Sequence, residues 1–588
     1  MSTCVALGAL VLLVHCADQA QEASGKGGEA GGGNNPCVGP SCGTGGVTGI
    51  GGSAGAAGAP EKELENTFRS PVATGRYVWT ANPESSRVAR VDAVSFEART
   101  YEAGFGPSYL AAVPGPSDED RALVINVGSN DASLFIADAK GEVTVHSAAL
   151  HEGANSLAVS KTGKWALAWT DATQVKNADV TEGFQDVTVL DLSAMPPVST
   201  RLSVGYRPSR VFISADDAHA YFVTEPGLSV LTLDSSLGPN VDRDVVLSTD
   251  PFSPPARDVT VTPDGAYALV RRNGSNLVTL AEIATGALKD ITLSGPVTDL
   301  DLTENGKLAL AVVRAPTPPQ SDAGVDAGTT TDASAGNEAG DDAGDASTDA
   351  SASASDGSAD ATPDVAPPPV VDSELFVLPI PEVFSNPSAA SQQSLPGETV
   401  GSVAVGQSGN VAVLYTNASA NDHLTLVKLT PGADFLSHRS VALKAPVSAA
   451  FVAPDDAHAI VLLSPAAGSS KPGAFSLVPI AKELPPKIQG TDAPTLSVSI
   501  APAPSNRAIV TTRDDSKQIF AAYLARMPEL QVDRITLSSP PLASGMVPAA
   551  GVAFVAQQHP EGRITFVNLQ NGDARTLTGF ELGAKVVD

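Results

Sequence analysis

One short pattern, a strand followed by a tight turn and a returning strand, recurs along most of this chain. It is clearest in the segment 257–295, where Pro263-Asp264-Gly265 joins two alternating strands, Asp258 to Thr262 and Tyr267 to Arg271. The third and fourth strands of this segment are Leu277 to Ile283 and Leu288 to Leu293. A single four-stranded meander cannot bury both of its faces, so many such sheets must pack against one another.

The same hairpin pattern starts at nine places, each an apolar strand end followed by a turn: Val113, Val159, Ile213, Val261, Leu302, Val405, Val452, Ile500 and Met546. Successive starts lie 41 to 54 residues apart, except for a gap of 103 residues after Leu302. Subtracting the low-complexity segment 315–371 restores a spacing of about 47 residues, which suits a four-stranded blade. The predicted fold class is therefore all-β, a β-propeller of four-stranded blades over residues 75–588.

A partial unit precedes these nine. Tyr77 to Thr80 and Arg87 to Val91 have the pattern of its second and third strands, and no first strand is evident before them. We expect the C-terminal segment Phe580 to Val587 to supply that strand, because joining the two chain ends in one blade removes a free sheet edge. The total is about ten units. One large ring and two smaller rings both fit this number.

Three of the repeats resemble a known family. The segments YVWTANPESSRVARVDAVSFE (Tyr77 to Glu97), LVINVGSNDASLFIADAKGEV (Leu123 to Val143) and LVRRNGSNLVTLAEIATGALKDITLSG (Leu269 to Gly295) resemble the YVTN-type β-propeller repeats of bacterial surface and exported proteins. The resemblance implies a propeller over most of residues 75–588. It does not imply one activity, because the family includes surface-layer and binding proteins as well as lactonase-like enzymes.

The N-terminus has the features of an export signal. The apolar run Val5 to Val14 has signal-peptide length and is too short to span a bilayer as a stable helix. Leu13-Val14-His15-Cys16 resembles the end of a bacterial lipoprotein signal, which implies a signal peptide over residues 1–16 and lipidation of Cys16. His15 stands where that signal has a small residue, and secretion after cleavage nearby is the alternative.

Residues 17–74 are rich in Gly, Ala and Ser, and we predict a disordered, flexible tether. Within it, Cys37 and Cys42 have the spacing of a small disulfide loop, with free thiols as the alternative. All four cysteines lie in the first 42 residues of the chain. The body of the protein therefore depends on neither disulfides nor thiolate-bound metal.

The segment 315–371 interrupts one blade. It holds ten Asp residues and Glu338 but no Lys or Arg. With so little apolar surface, it is predicted to be a disordered acidic loop between the second and third strands of that blade. A solvated spacer and a weak cation-binding segment are the two interpretations, and the first is favoured because no Asp spacing matches a calcium loop.

The sequence contains little catalytic chemistry. It has no Gly-rich phosphate loop, His-Glu-x-x-His helix or Gly-x-Ser-x-Gly elbow. His219 and His458 occupy one repeat position, which favours a recurring surface position over a catalytic pair. The innermost strands are mostly small or apolar, with Asp258, Asp299 and Asp301 as exceptions, and these are weak candidates for a divalent metal. We assign no catalytic residue and no cofactor. Core packing is expected for the three tryptophans, Trp79, Trp165 and Trp169.

These features favour an exported or surface-anchored propeller that acts as a non-enzymatic binding protein of the bacterial cell envelope. The formal charge of −29 disfavours nucleic acid and anionic lipid surfaces as partners. We expect a monomer that binds a protein or polysaccharide at the cell surface and contacts the membrane only through a lipid anchor. The alternative is a lactonase-like hydrolase with its site at the central channel.

Overall fold

The computed structural model describes residues 71–179, 181–248, 256–314, 372–466, 468–559 and 562–579. The predicted signal peptide with Cys16, the predicted tether up to residue 70 with Cys37 and Cys42, the acidic segment 315–371 and the C-terminal segment 580–588 lie outside these residues. The chain divides into two units, Met1–Ala315 with Asp372–Asp588 and Pro316–Val371, and every blade belongs to the first. None of the helices in the described part of the chain has the length and apolarity that crossing a membrane requires.

The described residues form ten sheets, and each sheet is an antiparallel meander of four consecutive strands. Blades 1 to 5 consist of β1 Val72–Ala73, β2 Tyr77–Asn82, β3 Arg87–Asp92, β4 Ala98–Glu102; β5 Pro107–Val113, β6 Asp120–Asn126, β7 Asp131–Ala137, β8 Val143–Ala149; β9 Ser156–Val159, β10 Trp165–Trp169, β11 Asp186–Asp191, β12 Val198–Ser203; β13 Arg210–Ile213, β14 His219–Thr224, β15 Gly227–Thr232, β16 Asn240–Val246; and β17 Ala256–Val261, β18 Tyr267–Arg272, β19 Leu277–Glu282, β20 Ala287–Thr292.

Blades 6 to 10 consist of β21 Val297–Leu302, β22 Leu308–Val313, β23 Ser373–Pro379, β24 Ser391–Leu395; β25 Ser402–Val405, β26 Val411–Tyr415, β27 His423–Lys428, β28 His438–Ala442; β29 Val447–Val452, β30 His458–Leu463, β31 Gly473–Pro479, β32 Lys487–Thr491; β33 Thr495–Ile500, β34 Arg507–Asp514, β35 Ile519–Arg526, β36 Gln531–Thr536; and β37 Pro541–Val547, β38 Val552–Gln557, β39 Arg563–Asn568, β40 Ala574–Thr578. The helices are short: α1 Glu382–Ser385 and three 3₁₀ turns, Ala172–Gln174, Pro387–Ala389 and Pro548–Ala550.

The ten blades form a single closed ring. Ten clusters of buried apolar side chains each join two successive blades, and one of them packs Val78 and Val91 of blade 1 against Phe554 and Phe566 of blade 10. The predicted all-β propeller is confirmed, and the structure selects one large ring over two smaller ones.

Blade 1 differs from the prediction. Its first strand is β1, Val72–Ala73, which pairs with Trp79 and Val78 of β2. The position beside β2 that Phe580 to Val587 is expected to fill is occupied by this segment, and residues 580–587 themselves lie outside the described residues. The first blade thus begins three residues before residue 75. Within the described residues no strand is shared between the two chain ends, and the ring closes by side-chain packing between blades 10 and 1.

Burial decreases from the middle strands of each blade to the fourth strand. β10 and β26 are buried along their whole length, whereas β12 and β20 consist mainly of exposed and partly exposed residues. The fourth strands therefore form the outer rim, and the first strands surround the central channel. The three tryptophans are buried, as predicted, and Trp79 packs 5.8 Å from Phe135 of blade 2, measured between ring centroids.

Antiparallel meanders give the ring two different faces. Connections between first and second strands, and between third and fourth strands, lie on one face, which we call the turn face. Connections between second and third strands, and between blades, lie on the other, the loop face. The loop face carries the longest connection of the described blades, 170–185, and the shorter connections 416–422 and 464–472. The turn face also carries long connections, which are 380–390, where α1 lies, and 429–437.

The repeated hairpin turns form a belt on the turn face. In the six turns of blades 3 to 8, a backbone hydrogen bond runs from the fourth turn residue to the first, as from the Gly265 N–H to the Thr262 carbonyl at 2.8 Å. The Thr262 hydroxyl also donates to Asp264 at 2.6 Å and accepts the Tyr267 amide at 3.0 Å. The Ser/Thr-x-Asp-Gly pattern is therefore explained by local hydrogen bonds within each turn.

The fourth turn residue is left-handed in all six turns. It is glycine in four of them, Gly163, Gly265, Gly306 and Gly409, where positive φ carries no side-chain penalty. Blades 4 and 8 have aspartate instead, Asp217 (φ 57°) and Asp456 (φ 52°). Each aspartate reaches the turn of the preceding blade.

The two aspartates link neighbouring blades through hydroxyl groups. Asp217 accepts hydrogen bonds from the Ser160 hydroxyl at 2.7 Å and from the Thr162 hydroxyl. Asp456 accepts the Ser408 amide at 3.0 Å and also the Ser408 hydroxyl. A Cβ at Gly406 would approach Asp456 Oδ1 to 2.5 Å, so glycine is needed where this carboxylate packs.

Replacing Asp217 should distinguish the inter-blade bonds from the backbone strain. Asp217→Ala keeps the left-handed backbone of a non-glycine residue and loses both hydroxyl contacts, so we expect a loss of about 2 kcal/mol or more in unfolding free energy. Asp217→Gly loses the same contacts but relieves the strain and should cost less. Denaturant unfolding of both variants measures the difference. Equal stability of the two variants would contradict this account.

Candidate functional site

The charged groups of the inner strands lie together on blades 4 to 6. Arg210 belongs to β13, Asp258 to β17, and Asp299 and Asp301 to β21. All four are partly exposed, as expected for residues that face the channel. The three aspartates that the sequence selected therefore lie on two adjacent blades rather than around the whole ring.

Asp258 forms an ion pair within its own blade. Its carboxylate lies 2.5 Å from Nε of Arg271, the residue directly opposite on β18. The Arg271 side chain is 3% exposed and also donates to the Val297 carbonyl of blade 6 at 3.3 Å. The pair thus connects the inner strands of blades 5 and 6. Arg271 of the Arg271-Arg272 dipeptide therefore has a structural role.

Asp299 and Asp301 bind backbone groups of the next blade. The Val403 amide donates to Asp299 Oδ2 at 2.7 Å, and the Val405 amide donates to Asp301 Oδ2 at 3.4 Å. Residues two apart on a strand point to the same side, which is why β21 can present both carboxylates to β25. These carboxylates satisfy amides on the inner edge of blade 7, where no further strand follows.

Asp301 has an altered acidity. The net pKa of Asp301 is raised to about 6: burial of its carboxylate is the largest cause, the negative charge of Asp258 adds to it, and the charge of Arg210 opposes both. The amides of Leu302 and Val405 lower it by hydrogen bonding to the carboxylate. A carboxyl group with a pKa near 6 can both accept and release a proton close to neutral pH.

The structure does not gather the aspartates around one common point for a metal ion. Asp258 is paired with Arg271, and Asp299 and Asp301 accept amide hydrogen bonds. Over residues 71–579, in the portions that are described, no group of three or more His, Cys, Asp or Glu residues has the arrangement of a metal site.

The two repeated histidines lie on separate blades. His219 begins β14 and stacks on Tyr221, with ring centroids 6.3 Å apart. His458 begins β30, and its Nδ1 lies 2.8 Å from Asp455 Oδ2. Each ring is explained by contacts within its own hairpin, which agrees with the predicted recurring position.

Sequence reasoning missed a buried polar cluster under the loop face of blade 3. His151 is 3% exposed, and its Nδ1 lies 2.8 Å from the Thr188 hydroxyl, while Nε2 lies 3.4 Å from the Thr170 hydroxyl. Burial lowers the pKa of His151 to about 4, so the ring is neutral at physiological pH. Nearby, Asp171 is also buried, and burial raises its pKa despite hydrogen bonds from Thr173.

The sequence also gave no indication of a cleft between the outer parts of blades 8 and 9. It has a volume of about 140 Å³ and is lined by Lys471, Gln489, Gly490 and Asp492 of blade 8 and by Tyr523, Val532 and Arg534 of blade 9. No motif connects these residues, because they belong to two repeats and meet only when the blades pack.

The features above define a ten-bladed β-propeller with a charged sector of inner strands. No known family and no curated protein matches the sequence. Among solved structures, the chain is similar to a eukaryotic initiation factor, with 11% identity, a TM-score of 0.45, and coverage of 86% of this chain and 96% of that chain.

Two further similarities are to AztD from Citrobacter koseri and to the dihydro-heme d1 dehydrogenase NirN. AztD has 12% identity and a TM-score of 0.36, with coverage of 80% of this chain and 97% of that chain. NirN has 9% identity and a TM-score of 0.39, with coverage of 86% and 74%. We draw no functional argument from similarities this low.

The buried histidine predicts a pH dependence. Between pH 6.5 and about 4 the unfolded chain binds a proton at His151 that the folded chain does not. Lowering the pH through this window should therefore decrease the unfolding free energy by about 3 kcal/mol. His151→Asn should remove this slope, whatever its effect at pH 7. The exposed His438→Asn serves as the control and should retain it. A wild-type slope in the His151 variant would contradict the assignment.

Proposed function

We propose that this protein is an exported, surface-anchored β-propeller that acts as a binding protein of the bacterial cell envelope. The observation that carries this proposal is the difference between the two faces of the ring. The hairpin turns between first and second strands on the turn face are mostly short and internally hydrogen-bonded, whereas the loop face carries the longest connection of the described blades, 170–185. Irregular connections held on a rigid scaffold are the usual location of recognition surfaces.

The loop face also presents an exposed apolar pair. Phe105 is 66% exposed and Val127 is 43% exposed, and they lie on adjacent connections of blades 1 and 2. Backbone hydrogen bonds from Gly128 to the Phe105 carbonyl (2.9 Å) and from Val127 to the Gly106 carbonyl (3.0 Å) hold these connections together. An aromatic side chain fixed in this way can bind a partner without losing much conformational freedom.

Replacing Phe105 tests whether the loop face, rather than another part of the surface, binds the partner. We expect Phe105→Ala to weaken binding of the purified chain to extracted envelope protein or polysaccharide by about tenfold. Leu237→Ala is the matched control, because Leu237 is 86% exposed but lies in the turn-face connection between β15 and β16. Surface plasmon resonance on immobilised extracts measures both. Equal losses in the two variants would contradict recognition through the loop face.

The proposal of export and anchoring is supported by the sequence before the ring. The apolar run Val5 to Val14, the following Cys16 and the tether agree with a lipoprotein-like signal, and the YVTN-type resemblance of the repeats agrees with exported proteins. The possible disulfide between Cys37 and Cys42 also belongs to an oxidising compartment.

Fatty-acid labelling tests the anchor. Cells that express the wild-type chain should incorporate a labelled fatty acid into the protein and retain it in the membrane fraction. Cys16→Ser should abolish the label and release the protein, whereas Cys4→Ser should change neither. A labelled Cys16→Ser protein would rule out Cys16 as the attachment site, and an unlabelled but secreted wild type would support simple cleavage.

The raised pKa of Asp301 favours a second candidate function, a hydrolase that uses the channel carboxylates. In this case Asp301 would act as the general base, with burial of its carboxylate raising its pKa and with Asp258 and Arg210 making smaller, opposite contributions. Hydrolysis of a lactone by the purified chain, with a rate that rises through pH 6 and is lost in Asp301→Asn, would favour the hydrolase over the binding protein. Absence of turnover across a lactone panel would leave the binding role as the better proposal.

A further inference from the structure

We infer that the cleft between blades 8 and 9 is a binding site for a single acidic sugar unit, one that carries a carboxylate beside hydroxyl groups. This inference rests on the proposed binding role and names a ligand class for it. It depends on the position of the cleft, on groups without partners in it, and on its charge.

The cleft forms where the apolar packing of two blades ends. Phe475 of blade 8 and Tyr523 of blade 9 belong to the cluster that joins these blades, with ring centroids 5.7 Å apart. Gln489 lies directly opposite Phe475, and Arg534 lies directly opposite Tyr523. Cross-strand partners project from the same face of a sheet, so the apolar pair and the polar pair face each other across one inter-blade gap.

Tyr523 forms the base of the cleft. The residue is 2% exposed, and its hydroxyl group has no hydrogen-bond partner among the described residues. The hydroxyl is not one of the sealed, unpartnered polar atoms of the described residues, so it is reached by solvent through the cleft. Because Tyr523 lines the cleft, a bound ligand can supply that partner.

Arg534 also has unused donor capacity. Its Nη1 donates to the Thr536 hydroxyl at 2.9 Å, and its Nε lies 3.4 Å from Asp492 Oδ2, which is an ion pair rather than a good hydrogen bond. In the described part of the chain no group accepts from Nη2. Nη2 is therefore the donor that can bind a ligand carboxylate, beside the Nε that faces Asp492.

The charge of the site favours an anion. Lys471 Nζ lies 2.6 Å from Asp492 Oδ1, and this contact, with the charge of Arg534, holds the pKa of Asp492 below its ordinary value. Two cations therefore share one carboxylate, which leaves one positive charge. Gly490 allows this arrangement, since the Lys471 side chain passes over it and a Cβ there would lie 3.2 Å from Lys471 Cγ.

The remaining groups suit hydroxyls. Asp492 can accept hydroxyl protons, and the Gln489 amide offers both a donor and an acceptor, although its Nε2 already donates to the Gly490 carbonyl at 2.8 Å. A volume of about 140 Å³ is below the range of sites for drug-sized ligands, so the cleft suits one small unit rather than an extended chain. A monocarboxylate with adjacent hydroxyls uses both the positive charge and the acceptors.

Calorimetric titration of the full chain tests the inference. Galacturonate should bind saturably, galactose should not, and acetate should bind at least tenfold more weakly because it lacks the hydroxyls. Tyr523→Phe should weaken galacturonate binding by about threefold to tenfold, and Arg534→Gln by at least tenfold. Arg201→Gln is the matched control, because Arg201 pairs with Asp186 near the outer rim of blade 3 and should leave binding unchanged.

Each other outcome overturns the inference. No saturable galacturonate binding up to about 10 mM would do so, as would equal binding of acetate or galactose. Binding that survives both Tyr523→Phe and Arg534→Gln would place the sugar elsewhere. If the inference fails while Phe105→Ala still weakens binding to envelope extracts, the proposed binding function stands without this ligand; if both fail, the binding function fails as well.

Discussion

Packing between neighbouring blades is the interaction on which this structure depends. A four-stranded sheet has two apolar faces, and neither is buried until another blade covers it. The ten apolar clusters satisfy this requirement around the whole ring, including the junction of blades 10 and 1. Replacing a buried aromatic residue such as Trp79 with alanine typically costs about 3–5 kcal/mol, so one junction represents a large fraction of a typical domain stability.

Polar groups at the ends and inner edges of the sheets also hold neighbouring blades together. On the turn face, Asp217 and Asp456 join adjacent turns, and in the channel, Asp299 and Asp301 satisfy amides of blade 7. Each contact removes an unpaired backbone or hydroxyl group that inter-blade packing would otherwise bury. The acidity of Asp301 is one consequence, because a carboxylate that is drawn toward the next blade loses part of its hydration.

Much of this fold could be predicted from the sequence, because its signals are local. The turn at Thr262 to Gly265 can be recognised because its residues hydrogen-bond to one another. The spacing at which this turn recurs gives the length of one blade. β1 was missed because two paired residues, Val72 and Ala73, are too few to produce an alternating pattern. The choice between one ring and two depends on which blade packs on blade 1, and no local pattern contains that information.

The candidate sites were less predictable because their residues are distant from one another in the sequence. Asp299 and Asp301 could be recognised as unusual inner-strand residues, but their partners lie 104 residues away on β25. The cleft requires Gln489 and Arg534 to face each other across two blades, and the neutral state of His151 depends on burial beneath a connection. Such features arise from packing rather than from spacing along the chain.

The way in which the ring closes has a mechanical consequence. Where the two chain ends share a blade, separating the first and last blades requires breaking a strand from its sheet; among the described residues of this ring, blades 10 and 1 are joined by packing of their apolar surfaces. The chain enters the ring at β1, which pairs with β2 through two residues and lies beside β37. Tension applied through the N-terminus would therefore act first on this seam, peeling β1 away before any other strand carries the load.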